Sequence, residues 1–272
     1  MERPSNKAIK LYVLELGCVA NDLAWIVNNP NPGSLKHPNK ASVWYQTPIL
    51  AFLVIHPQGI LLYDTGCNAE ILDQRPPNLK NLFPFYSTEA ERLENRLSEV
   101  GLQCKDVNIV VASHMHFDHA GNLHLFKDKR ILVPKDDFTR GLVTTHSDPK
   151  YTGAYLKSSF DIEGMHYELL EEDMEILPGI ELVILEGHVP SLLGLVVHLK
   201  ESGTVICPSD AIPLRMNYGP PPRLPGAVYD SLGFERTIKK VRKLQKAYNA
   251  QIFYSHDKDQ YEKELVRSSF YS

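Results

Sequence analysis

The sequence predicts an α/β fold: one domain over residues 1–272 in which sheets are covered by helices. Three observations predict it. Short apolar, β-branched runs recur along the whole chain and read as strands. Two segments between them carry helical spacing. No internal repeat, low-complexity tract or linker divides the chain.

Taken in order, residues 9–16 alternate well enough for a first strand. Residues 21–40 are rich in Asn, Pro and Gly and read as a long loop. Residues 49–56 and 60–64 flank Pro57-Gln58-Gly59 and read as a hairpin. Thr88-Glu89-Ala90-Glu91 spells a capping box. Ala90, Leu93, Leu97 and Val100 then line one helix face, and Gly101 can end the helix. Residues 106–113 read as a buried strand and 131–134 as a short one. Residues 136–166 show no clean period and read as a long connection, of the kind that forms lids and binding loops. Strands follow at 180–185, 192–199 and 204–207, then a second long, Pro-rich loop at 212–232. Phe234, Ile238, Val241, Gln245 and Tyr248 trace a helix stripe broken by the polar Gln245, and residues 250–254 form the last strand.

Composition excludes several classes. A chain of 272 residues can bury a sizeable core. Its net charge of -4 and sequence pI of about 6.3 lack the basic footprint of a nucleic-acid binder. Lys239, Lys240, Arg242, Lys243 and Lys246 cluster, but on a predicted helix, as a solvated face. The start lacks the apolar run of a signal peptide, and no segment is long and apolar enough to span a bilayer, so no membrane association is expected. Cys18, Cys67, Cys104 and Cys207 have no C-x-x-C spacing and read as buried free thiols of a reducing compartment. The expected location is the cytoplasm. A homodimer is compatible with the sequence.

One stretch carries chemistry. His114-Met115-His116-Phe117-Asp118-His119 packs three imidazoles and a carboxylate into six residues at the end of a predicted strand. These are zinc-binding groups. They are too many for one catalytic ion with an open position, so two metals are expected to share the segment. Ala120-Gly121-Asn122 then permits a tight turn. Further candidates recur where later strands end: His188 after Gly187, Asp210, and His256 with Asp257. Strand ends on one sheet edge are where sites are built.

These residues, with Asp64-Thr65-Gly66 after an earlier strand, make the chain resemble the metallo-β-lactamase superfamily over nearly its whole length. Within it, residues 113–122 and the end Tyr254-Ser255-His256-Asp257 are most similar to the N-acyl-homoserine lactonase group, and the latter also to 4-pyridoxolactonase. The resemblance implies an αββα sandwich, two mixed sheets flanked by helices, with two Zn2+ at one edge. It implies that His114, His116 and His188 bind the first zinc. Asp118, His119 and His256 would bind the second, Asp210 would bridge both, and Asp64 would brace the ligand loop.

It further implies a hydrolase that opens a lactone ring by attack of a metal-bridging hydroxide. One zinc would polarise the carbonyl and the other stabilise the leaving alkoxide, with Asp118 relaying a proton. No G-x-S-x-G elbow competes for the role of nucleophile. An N-acyl-homoserine lactone, and hence quorum quenching, is the first expectation, and another ester, thioester or phosphotriester the alternative. An iron redox protein, a nuclease and a non-catalytic binding protein are less well matched by this ligand set and charge.

The chain departs from the family pattern twice. Relatives commonly show Gly-His-Thr/Ser-Pro-Gly, and here the stretch is Gly187-His188-Val189-Pro190-Ser191. A tyrosine soon after the bridging Asp is also usual, whereas here Ala211-Ile212-Pro213 follow Asp210 and Tyr218 is the first. Tyr218 is therefore the candidate for the substrate-carbonyl contact. Loops 21–40, 136–166 and 212–232 are expected to shape the pocket, with Trp25, Phe138, Tyr151, Tyr155, Phe160, Tyr218 and Tyr229, and Trp44 nearby, as aromatic supply.

Overall fold

The computed structural model describes residues 8–72, 74–147, 153–266 and 269–272. Among them, twelve strands form two mixed sheets. The first sheet contains β1 (Lys10–Asp22), β2 (Trp44–His56), β3 (Gly59–Tyr63), β4 (Phe85–Tyr86), β5 (Ile109–Val111), β6 (Arg130–Pro134) and β7 (Tyr167–Leu170), in the order β4-β1-β2-β3-β5-β6-β7. The second contains β8 (Met174–Leu177), β9 (Ile180–Leu185), β10 (Leu192–Leu199), β11 (Gly203–Cys207) and β12 (Gln251–Ile252), in the order β12-β11-β10-β9-β8. The pairs from β3 to β7 and the pair β11–β12 are parallel, and the others antiparallel.

Strands that read as continuous apolar runs do so because both their faces are covered. In β2, Leu50, Phe52 and Val54 meet Leu182, Leu195 and Val197 between the sheets. Ile49, Ala51 and Leu53 face the opposite way, into the cluster that includes Leu93 and Leu97 of the helix Leu93–Glu99. On the second sheet, Phe234, Ile238 and Val241 of the helix Ser231–Tyr248 are buried in the same manner. The layers are therefore helix, sheet, sheet, helix. Two hydrogen bonds tie the sheets at the end where the strand-end histidines emerge: Tyr63 Oη donates to the Leu193 carbonyl at 2.5 Å, and Leu193 N–H donates to the Ser113 carbonyl at 2.9 Å.

Several expectations are corrected. The first strand runs on to Asp22, so Asn21 is sheet rather than loop. The capping box forms, with Thr88 N–H donating to the Glu91 carboxylate at 2.5 Å, but it caps a single 3-10 turn and the helix proper starts at Leu93. Ala90 is accordingly exposed. Residues 136–166 are not one connection: Lys135–Ser147 is a helix. The chain also forms β7 and β8, which the sequence reading missed. Cys67 and Cys207 are buried free thiols, while Cys18 and Cys104 are only half-buried. The basic cluster is partly neutralised, since Lys240 Nζ lies 2.6 Å from Asp173 and Arg242 donates to the Tyr218 carbonyl. No helix among the described residues is long and apolar enough to cross a membrane.

Candidate metal centre

The register of the first sheet builds the site. β3 and β5 run parallel with Tyr63 opposite Val111, so the residues just beyond each strand emerge side by side. Asp64 is the first residue beyond β3, and Ser113, the second beyond β5, reaches its side chain. Asp64 takes a left-handed backbone at φ 64°, an uncommon conformation for a side chain other than glycine. Its carboxylate accepts from Ser113 N–H at 2.7 Å, from Ser113 Oγ at 2.9 Å and from His119 Nδ1 at 2.8 Å. The short helix Phe117–Ala120 turns the chain back, and Gly121 N–H donates to the Gly66 carbonyl. A Cβ on Gly121 would lie 2.5 Å from that oxygen, so the close approach requires glycine.

The structure brings together all seven residues singled out as ligands. His114 Nε2 lies 3.0 Å and His188 Nε2 3.1 Å from His116 Nδ1. Asp118, His119 and His256 form a second set, and His114, His119 and Asp210 a third, with ligand atoms in each set within 4.8 Å of one another. Asp210 reaches both sides: its carboxylate is 3.4 Å from His188 Nε2, 3.3 Å from His119 Nε2 and 2.9 Å from His256 Nε2.

The remote ring nitrogens are already occupied. His256 Nδ1 donates to the Pro48 carbonyl at 2.8 Å and His119 Nδ1 to Asp64. His114 Nδ1 is 3.0 Å from Ser113 Oγ. That hydroxyl gives its proton to Asp64 and can accept the imidazole N–H. Each of these rings is thereby anchored through Nδ1, with Nε2 turned inward.

Charge follows the same division. Burial, reinforced by neighbouring imidazoles, holds His114 and His116 well below the ordinary histidine range, and burial also lowers His188. For His119 and His256 burial opposes the charged ring, but the carboxylates, Asp210 foremost, outweigh it and raise both. Burial likewise works against the Asp210 carboxylate, yet His256, His119 and His188 hold it well below the usual range. His114, His116 and His188, held toward the neutral form, aim ring nitrogens at one another, and His119 Nε2 is buried without a hydrogen-bond partner. Nitrogen and carboxylate donors converging in this way, with one orphaned, fit divalent cations.

A cavity of about 410 Å³ opens over this cluster. His116, Asp118, His188, Asp210 and His256 contribute to its lining, and Trp25, Ile26, Leu79, Leu82, Phe83 and Phe117 supply apolar wall. Arg75 also lines it, its Nη1 donating to the Phe83 carbonyl at 3.0 Å. Sequence reasoning missed Ser113, Asn21, Thr47, Arg75 and the helix Pro77–Leu82. For that helix the signals were present: Pro at the first position and Leu79, Leu82 and Phe83 at helical spacing.

Tyr218 is a correction. Its hydroxyl donates to Gln245 at 2.5 Å, its ring lies under Arg242, and it lines a separate cavity with Gln251 and Tyr271. The sequence between Asp210 and Tyr218 includes the short helix Arg215–Tyr218, which delivers the ring to the helix Ser231–Tyr248 instead of to the histidines. Of the other aromatics, Trp25 lines the metal cavity and Tyr155 packs its ring against His116 at 4.8 Å. Phe138 and Phe160 pack on each other, while Trp44 and Tyr229 are exposed. Tyr151 lies outside the described residues. The turn Gly187–Ser191 is made with no left-handed residue at Ser191, which is buried.

A family profile described as the metallo-beta-lactamase superfamily matches residues 44–256. The chain is 30% identical to the N-acyl homoserine lactonase AiiB of Agrobacterium fabrum (strain C58), over 96% of this chain and 97% of that one. A solved quorum-quenching N-acyl homoserine lactone lactonase superposes with a TM-score of 0.76 at 26% identity, covering 93% of this chain and 94% of that chain. A second, an N-acyl homoserine lactone hydrolase, gives 0.81 at 24% identity over 98% of this chain and all of that one, and shares the fold. The profile match and the near full-length identity agree with the strand-end ligand cluster: the chain belongs to the metallo-beta-lactamase superfamily, in its N-acyl homoserine lactonase-like group.

Proposed function

We propose that this protein is a dinuclear zinc hydrolase that opens the ring of N-acyl homoserine lactones. The observation that carries the proposal is the cavity itself. Seven nitrogen and oxygen donors from separate strand ends meet at one place, and an apolar wall of acyl-chain character extends from them. A compact polar ring would leave Trp25, Leu79, Leu82 and Phe83 without an apolar guest. The full-length resemblance to AiiB points the same way.

His114, His116 and His188 would hold one ion and Asp118, His119 and His256 the other, with Asp210 shared. Zinc held by these residues would supply a water with its pKa lowered to about 7 and a positive charge facing the substrate carbonyl. The chain's own contribution is to orient and to exclude water. Asp64 and Pro48 fix the rings of His119 and His256. The cavity wall sets the acyl chain so that the lactone carbonyl faces the donors. Asp118, which lines the cavity, would carry a proton to the leaving oxygen, and that oxygen stays attached in the hydroxy-acid product.

Purified protein should carry close to two zinc equivalents by elemental analysis. It should acidify an unbuffered N-hexanoyl homoserine lactone solution, lose that activity to chelator and regain it with zinc. Activity confined to thioesters, β-lactams or phosphotriesters would move the protein to another branch of hydrolases. Turnover by metal-free protein would end the proposal.

A further inference from the structure

Among the described residues, Arg75 is the one charged side chain beyond the metal-ligand candidates that lines the metal cavity. It is only 5% exposed, and its hydrogen bonds go to neutral backbone: Nε donates to the Leu72 carbonyl at 3.4 Å and Nη1 to the Phe83 carbonyl at 3.0 Å. Burial lowers the guanidinium from its ordinary range, and the opposing effects of Cys67 and Asp118 do not offset it. A carboxylate paired with the guanidinium would raise it instead. A buried cation without a counter-charge is costly, so one kept in an apolar wall calls for an acceptor from the guest.

The guanidinium is fixed at the metal-site end of that wall. Its Cζ lies 4.8 Å from the centroid of the Phe117 ring, and Phe117 stands between the ligand candidates His116 and Asp118. Phe83, whose carbonyl holds Nη1, packs its ring on Trp25 at 5.2 Å. Nη2 has no hydrogen-bond partner among the described residues, yet it is not one of the fully buried polar atoms left without a partner. Its N–H groups therefore keep access to open space, and the space that Arg75 lines is the metal cavity.

We infer that Arg75 is a specificity-determining residue that selects acyl arms carrying a 3-oxo group, with Nη2 donating to the oxygens of the arm. This rests on the lactonase reading above. In an N-(3-oxoacyl) homoserine lactone the amide carbonyl and the 3-oxo carbonyl are separated by a single carbon and lie close to the ring. With the lactone carbonyl at the metal site, both oxygens fall at the start of the wall. A planar guanidinium offers adjacent N–H groups to such a pair of oxygens. The rest of the arm is apolar and suits Leu79, Leu82 and Phe83 beyond. A plain acyl arm sets a methylene where the 3-oxo oxygen would be and leaves part of the charged edge unmet.

The test compares N-(3-oxohexanoyl) homoserine lactone with N-hexanoyl homoserine lactone. Ring opening of both is followed with the zinc-loaded protein, and each rate is referred to the alkaline hydrolysis of the same lactone without enzyme. Wild type should favour the 3-oxo substrate by roughly tenfold in kcat/KM, the scale of one hydrogen bond to a charged donor. Arg75→Met, which keeps an apolar stem without the donors, should bring that ratio close to one, chiefly through KM for the 3-oxo substrate, with zinc content unchanged. Equal proportional loss on both substrates in Arg75→Met would mark Arg75 as a brace for Leu72 and Phe83 and overturn the inference. So would a wild-type enzyme that opens both lactones equally well, a readout that needs no variant to fold and leaves the lactonase reading standing. Failure to open either lactone overturns the lactonase reading and this inference with it.

Discussion

Asp64 grips His119 through Nδ1 at 2.8 Å, and the opposite nitrogen of that ring faces Asp210 at 3.3 Å. Both residues are almost wholly buried, and the same carboxylate accepts two hydrogen bonds from Ser113. Asp64 is thus the anchor for the turn that carries the ligand candidates. Asn at position 64 would offer one acceptor oxygen and would turn an NH2 toward a donor. Asp64→Asn should weaken zinc affinity by about 10–100-fold, as loss of such an orienting partner typically does. Competition titration against a chromophoric chelator measures it. Unchanged affinity would reduce Asp64 to a turn residue.

Asp210 is the carboxylate that touches imidazoles of both ligand sets. An amide there keeps the shape but loses the charge that balances them. Asp210→Asn should fall below two zinc equivalents and lose at least about a hundredfold in turnover, on the scale of removing a charge-stabilising group. A variant with both metals and near wild-type turnover shows that Asp210 is not shared between them.

Tyr218 should prove dispensable for catalysis. Its hydroxyl is engaged with Gln245 and faces another cavity. Tyr218→Phe should leave kcat and KM within about twofold, and cost roughly 0.5–1.5 kcal/mol of stability for the lost hydrogen bond. A drop of tenfold or more in turnover on N-hexanoyl homoserine lactone would return Tyr218 to the site.

What the sequence made legible was decided by how burial is achieved. β2 and β10 are covered on both faces, so their apolar runs announce them. The ligand cluster was legible because four of six adjacent residues share one chemistry. The helix Lys135–Ser147 was not, because its buried positions are Asp137, Gly141 and Thr145. They stand four apart, as a helix stripe should, but none is a large hydrophobe. Gly141 is small because a Cβ there would come within 2.9 Å of Phe160. β7 and β8 are edge strands with mostly exposed or half-buried residues, and so lack a period of two. Asn21 looked like the first residue of a polar loop. Its burial depends on β2 pairing with it and on a cavity wall assembled from elsewhere in the chain.

Asp137 gives the structure a pH-dependent element beneath the histidine turn. Its Oδ2 accepts Met115 N–H at 2.7 Å, and its Oδ1 the Tyr155 hydroxyl at 2.5 Å. Burial outweighs these two hydrogen bonds and pushes the carboxyl from its ordinary 3.8 up to about 6. Between those values the folded chain holds a proton that the unfolded chain has lost. The contribution of this group to stability is therefore full below about pH 4 and falls as the pH rises to about 6. A shift of this size corresponds to about 2–3 kcal/mol. Asp137→Asn cannot ionise, though it also gives up one acceptor. Its stability relative to wild type should climb by on the order of 2–3 kcal/mol between about pH 4 and about pH 6, then level off. Urea unfolding of both metal-stripped proteins in the same buffers cancels the titrations they share. A difference that stays flat across that range would mean that Asp137 is ionised throughout in the folded protein, and that Met115 N–H and the Tyr155 hydroxyl together outweigh the cost of burying it.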